Sequence, residues 1–195
     1  NDPPQLVREH TAYLLNRNTH VMEPSRETGY QFEAVYGGEW LTITGNVSQA
    51  TNELSSRVSL AFDERFIGID YHGFGDDYTT QVFFDWGKDE RDARLAIRTG
   101  GVLLGRTFEN NQTLELDLEA QRGKGIPLVE NQWYWDSYGA LSWQTPVGSA
   151  TFSAAIALDR STDVRETDVG DTLTTFETDP VLFRSLNLGA RYGRY

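Results

Sequence analysis

The sequence predicts an all-β chain of about ten antiparallel strands (about eight to twelve), closed into a transmembrane β-barrel. Three observations carry this expectation. Apolar and polar residues alternate through most of the 195 residues, the period of a strand with two unlike faces. Gly, Pro, Asn and Asp break that alternation into segments, with no convincing helical period between them. Within Gln132–Arg160, one face of the first strand holds Trp133, Trp135, Leu141 and Trp143, aromatic at both ends. Trp135 and Trp143 would lie about 26 Å apart at ~3.3 Å per residue, and about 20 Å once the strand tilts by roughly 40°. An apolar band of about 25 Å separates the aromatic girdles of a membrane barrel. The competing fold is a soluble β-sandwich or jelly roll, whose core the same tryptophans would pack.

Composition narrows the classes. A net charge of −12 without a basic patch argues against nucleic acid as a partner. The absence of Cys removes disulfides, thiol catalysis and thiolate metal sites, and no metal or cofactor is expected. No apolar run approaches the ~18 residues of a spanning helix. No charged-then-apolar leader opens the sequence, as expected once a signal peptide has been removed.

Residues 1–28 read as an irregular N-terminal segment or an extra strand, and 29–195 as one β-domain. Asp2-Pro3-Pro4 is a breaker, and Arg8–Asn16 reads as a short strand or helix. His10 and His20 read as solvated side chains. Gly29–Gln49 predicts a hairpin on a two-residue Gly37-Gly38 loop, pairing Tyr36 with Glu39, Ala34 with Leu41 and Phe32 with Ile43. The glycosylation-type triplets at Asn46 and Asn111 read as chance matches.

Ser55–Phe74 predicts two short strands about a turn at Asp63-Glu64, with Val58, Leu60 and Phe62 sharing a face with Ile67, Ile69 and Tyr71. Asp70 and His72 then point the same way. An Asp-x-His pair on a strand resembles the Asp–His couple of omptin-type outer-membrane proteases, which implies a base and its orienter. Tyr78–Gly87 is another strand. Ala93–Phe108 is one long strand or a second Gly-Gly hairpin, with Arg94 and Arg98 opposite Leu95 and Ile97. A charge on lipid is costly, so both arginines are expected to face inward.

Thr113–Gln121 (TLELDLEAQ) sends Leu114, Leu116 and Leu118 to one face and Glu115, Asp117 and Glu119 to the other. The run Glu-Leu-Asp-Leu-Glu closely resembles the catalytic signature of the laminarinase/lichenase clan of glycoside hydrolases (family 16). That resemblance implies retaining chemistry, with Glu115 as nucleophile, Asp117 as its modulator and Glu119 as acid/base. The alternative is an acidic ladder inside a barrel, neutralised by Arg94 and Arg98.

Arg122–Asn131 reads as a loop. The hairpin that follows is expected to turn at Thr145-Pro146-Val147-Gly148, pairing Trp143 with Ala150, Leu141 with Phe152 and Trp135 with Leu158. Ser161–Pro180 is acidic and Thr-rich. Its carboxylate spacing does not fit an EF-hand, and a solvated surface loop is expected. Val181–Tyr195 closes as an amphipathic strand with a terminal aromatic, which resembles the assembly signal of bacterial outer-membrane barrels.

The whole pattern resembles a porin-like bacterial outer-membrane barrel, entire or part of a larger one. That resemblance implies lipid-facing aromatics at Trp133, Trp135, Trp143, Phe152 and Tyr192. The charged residues Arg57, Asp70, Arg94, Arg98, Glu115, Asp117, Glu119, Asp136 and Arg191 would then face the lumen. Its partners would be outer-membrane lipid and small polar solutes, with a homo-oligomer or larger assembly open. Two other functions compete: a secreted or periplasmic β-sandwich hydrolase acting through Glu115 and Glu119, and a barrel serving as an adhesion or assembly scaffold through its acidic loop.

Overall fold

The computed structural model describes residues 12–16, 27–55, 58–90, 94–125, 133–168 and 174–192. Nine strands form a single antiparallel sheet in which each pairs with its neighbour in sequence. They are β1 (Glu27–Gly37), β2 (Leu41–Ser55), β3 (Val58–Tyr71), β4 (Tyr78–Asp89), β5 (Arg94–Thr107), β6 (Thr113–Gly125), β7 (Tyr134–Val147), β8 (Ala150–Asp168) and β9 (Thr174–Tyr192). A single helical turn, α1 (Tyr13–Asn16), precedes them, where a short strand or helix was expected. The sheet is open among the described residues: β1 pairs only with β2, and β9 only with β8.

Alternation sorts the side chains as the sequence suggests, but their burial is inverted relative to a water-soluble sandwich. One face carries Thr44, Asn46, Ser48, Glu64, Asp85, Thr99, Glu119, Gln121 and Asp136, all buried. The other carries Phe32, Phe84, Trp86, Leu118, Leu141, Ile156 and Leu188, all exposed. Among the described residues, α1 is the only element packed on the polar face. Ser48 (0% exposed) and Asn46 (2%) are among its most deeply buried side chains. Gly101 is closely packed on the same face. The Phe83 ring, across the β4–β5 ladder from Gly101, occupies the space a Cβ would need. Gly101→Val is expected to lower stability by about 1–3 kcal/mol, the usual range for overpacking, read as a shift in denaturation midpoint.

Several connections differ from the sequence reading. The β1–β2 link is Gly38-Glu39-Trp40, closed by the Gly38 N–H donating to the Leu41 carbonyl at 2.8 Å. Neither Gly37 nor Gly38 takes positive φ, so the two-residue Gly-Gly turn is not made. Tyr36 faces Ile43 and Phe32 faces Val47. The β7–β8 loop is Gly148-Ser149, and Pro146 continues β7 opposite Thr151. Gly148 takes φ 61° as the first central residue, the place where a two-residue hairpin loop favours Gly. Trp143 therefore faces Ala154, Leu141 faces Ile156, and Leu158 faces Gly139 instead of Trp135. In both hairpins the slip is an even number of residues, so every side chain keeps its predicted face.

Asp63 and Glu64 form no turn. They lie within β3, so Leu60 and Phe62 point away from Ile67, Ile69 and Tyr71. Ala93–Phe108 contains one strand, not a hairpin. β6 runs on through Arg122 to Gly125, and the expected loop at Ser161–Pro180 is largely strand, with Asp163 paired to Asp179 and Asp168 to Thr174. At the outer end of β4, the Glu90 carboxylate accepts the Ala61 N–H (2.8 Å) and pairs with Lys88 (2.6 Å). The Lys88 hydrogen bond, followed by that from Ala61, holds its pKa below the ordinary value.

Candidate functional site

The polar face gathers its carboxylates around one strand. The period of two sends Glu115, Asp117, Glu119 and Gln121 of β6 to this face, directly across from Ser142, Ala140, Tyr138 and Asp136 of β7 respectively. Gly101 and Thr99 of β5 lie on the other side. Asp85, Glu64 and Asp70 extend the acidic surface toward β3, and Asp159 extends it toward β8.

The helical turn α1 is seated on this surface. The first N–H groups of a helix have no partner inside it. Here both go to Glu119: the Tyr13 N–H donates to Oε1 at 2.6 Å and the Leu14 N–H to Oε2 at 2.7 Å. A carboxylate at a helix start also meets the positive end of the peptide dipoles. Leu14 is wholly buried, and Gln121 Nε2 reaches its carbonyl at 3.5 Å while donating to Thr99 Oγ1 at 2.9 Å. Tyr13 stacks on Tyr138 with ring centroids 4.1 Å apart, and its hydroxyl donates to Asp159 Oδ2 at 3.1 Å. Beside the turn is a cavity of about 510 Å³ bounded by Tyr13, Tyr138, Asp159, Phe183, Ser185 and Asn187.

The sequence-predicted residues divide between the two faces. Asp70, Glu115, Asp117, Glu119 and Asp136 lie on the polar face, and Arg191 takes the same parity in β9. Arg57 lies outside the described residues. Arg94 is placed only by its backbone, opposite Gly125. His10 and His20 also lie outside the described residues. Asp70 accepts a hydrogen bond from Gln81 Nε2 at 2.7 Å, while His72 Nε2 lies 3.4 Å from Thr42 Oγ1, so the Asp–His couple is not assembled.

Arg98 departs from the expectation. It is exposed on the apolar face, directly across from Trp86 on one side and Arg122 on the other. Ile97 takes the polar face instead and is buried. Register decides this: Val82, Phe84 and Trp86 fix the apolar side of β4, and the even-numbered residues of β5 fall opposite them. Arg98 therefore does not neutralise the Glu115–Asp117–Glu119 ladder, and Glu119 is satisfied by backbone N–H groups. Trp135, Trp143, Phe152 and Tyr192 are exposed on the apolar face, while Trp133 precedes β7 and packs under the guanidinium groups of Arg98 and Arg122.

The geometry bears on the glycosidase motif too. Glu115 and Glu119 do share a face, but both Glu119 oxygens are engaged by α1 and the residue is 4% exposed. Leu118, which would have to pack in a sandwich core, is 48% exposed. Sequence reasoning missed Tyr13, Asp85 and Gln121 as members of the site, and Arg122 as a strand residue. Parity alone would have put Asp85 and Gln121 on the acidic face. Nothing in the sequence signals that Tyr13 meets Tyr138. Comparison of the chain with protein-family models, with curated proteins and with solved structures gives no match.

Proposed function

We propose that the chain is a membrane-spanning β-barrel protein of the outer-membrane type, entire or part of a larger barrel. In this reading it passes small polar solutes, cations in preference to anions. One observation carries the reading: the described residues bury eleven polar or charged side chains against six hydrophobic ones, while large hydrophobics cover the opposite face. Water as solvent favours the reverse, because apolar area exposed to it costs about 25 cal/mol per Å². Hydrocarbon outside and water inside favour this arrangement.

Further features fit. The β1–β2, β3–β4, β5–β6 and β7–β8 connections share one end of the sheet, and Tyr36, Trp40, Phe74, Tyr78, Phe108 and Trp143 are exposed there. Such a ring resembles an interfacial aromatic girdle. Each of the nine strands has at least eleven residues, against the ~9–11 a tilted strand needs to cross a bilayer. Asn46 Nδ2 and Asp85 Oδ2 have no hydrogen-bond partner among the described residues, which suits a wetted lumen. Acidic side chains dominate the described part of the polar face, and such a lining favours cations.

Two measurements test the reading. The protein is expected to extract only with detergent and to migrate faster on gels when unheated, as folded barrels do. In planar bilayers its conductance should be cation-selective, and Asp117→Asn should reduce that selectivity. Recovery as a monomer in plain buffer, with no detergent requirement, would overturn the proposal.

A further inference from the structure

The apolar face is not uniformly apolar. Across β3 to β7 the register aligns Arg65, Trp86, Arg98, Arg122 and Trp135 as successive direct neighbours. Arg65 is paired with Asp63 of its own strand at 3.1 Å. Arg98 and Arg122 are directly opposite each other, an arrangement of like charges that weakens a ladder. Among the described residues neither has a carboxylate partner. Their guanidinium groups lie 5.8 Å and 4.2 Å from the Trp133 ring centroid, and Arg122 is also 5.5 Å from that of Trp135. Arg122 Nε is buried without a hydrogen-bond partner. In a chain of net charge −12, two adjacent cations are thus held on aromatic faces with their donors unused.

They stand at the head of a groove of about 1000 Å³. Gly100, Ala120 and Gly139 leave its floor without bulky side chains. Phe84 and Trp86, stacked at 6.3 Å, form one wall, and Trp135 with Leu158 the other. Arg160, across from Ser137 on β8, also lines the groove, so a largely apolar trough carrying three guanidinium groups complements an amphiphile with an anionic head. Guanidinium groups bind phosphate oxygens in bidentate fashion, and an anion between the two arginines would relieve their repulsion.

We propose that this groove binds one membrane lipid with an anionic phosphate headgroup, the phosphate between Arg98 and Arg122 and an acyl chain along Gly100, Ala120 and Gly139. The proposal rests on the membrane-barrel reading. Its occupant is a lipid rather than free phosphate because Phe84, Trp86, Leu118, Leu158 and Leu182 make most of the groove's lining apolar.

The test is native mass spectrometry of the full chain in a nonionic detergent, titrated with dioleoyl phosphatidylglycerol and, separately, with dioleoyl phosphatidylcholine. Wild type should retain phosphatidylglycerol in preference to phosphatidylcholine. The R98Q/R122Q variant should hold it about tenfold or more weakly, the scale of one lost charge-assisted hydrogen bond. Heat-modifiable mobility checks that the variant folds. If it does not, R122K alone, which keeps the charge but not the bidentate fork, should weaken retention in the same direction. Equal retention by wild type and variant overturns the site. Displacement of the lipid by excess inorganic phosphate overturns its identity as a lipid site. If the wild-type protein never enters micelles, the barrel reading fails and this site falls with it. Micelle entry without headgroup preference sinks the lipid site alone.

Discussion

Leu141→Arg is expected to destabilise the folded protein in lipid by about 2–4 kcal/mol, the range for a cation near the midplane of a membrane barrel. Leu141 lies midway along β7, 47% exposed, between Leu116 on β6 and Ile156 on β8. In a sheet whose apolar face met water, an arginine there would be nearly neutral, within about 0.5 kcal/mol like most surface changes. The two solvents thus give different answers to one substitution. Reversible guanidinium unfolding in liposomes reads the difference as a midpoint shift, with Ser142→Arg, next in sequence and facing Glu115 on the polar face, as the control. A Leu141→Arg protein as stable as wild type would remove the main support for the membrane reading.

Glu119→Ala carries the second large effect. It deletes the acceptor of two backbone N–H groups, each a bond to a charged group worth about 1.5–3 kcal/mol, and leaves the buried Leu14 donor and the half-buried Tyr13 donor without it. The N-terminal turn should leave the polar face. Limited proteolysis within residues 12–16 should become rapid and, in the proposed barrel, single-channel conductance should rise. Tyr13→Ala reaches the same endpoint by another route, because it removes the stack on Tyr138 and the bond to Asp159. Its effect should be smaller, since both Glu119 bonds remain. If both variants keep wild-type conductance and protease resistance, α1 does not obstruct the path of solutes.

Faces were legible in most strands, though not at Arg98 or across Asp63-Glu64; registers and ends were not. Period-two alternation placed Glu115, Asp117 and Glu119 together and Trp135, Leu141 and Trp143 on the opposite side. Those positions survived a register error in each of two hairpins because the slips were even. Turn chemistry misled where it was richest. Pro146 and Gly37-Gly38 look like breakers, yet the ladder continues through Pro146, and Gly37 still pairs with Thr42. The acidic 161–180 stretch reads as a loop because its few apolar residues (Val164, Val169, Leu173, Phe176) do not alternate, yet Ser161 to Asp168 pair residue by residue with Val181 to Thr174. Arg98 went to the wrong face because a charge was assumed to avoid the apolar side. Stacked on Trp133, its guanidinium sits among aromatic rings on that side. The seating of α1 was illegible in principle, since it joins residues more than a hundred positions apart.

The odd number of strands among the described residues has a consequence for how the sheet can close. Successive strands reverse direction, so β1 and β9 point the same way. Paired directly with each other, they could form only a parallel ladder, the one exception in an otherwise antiparallel ring. An all-antiparallel ring instead needs an odd number of additional strands between them, from elsewhere in the same polypeptide or from another molecule. Ring closure is thus a question of chain polarity: an engineered disulfide between the facing edges would form in the first case and be prevented by the intervening strand in the second.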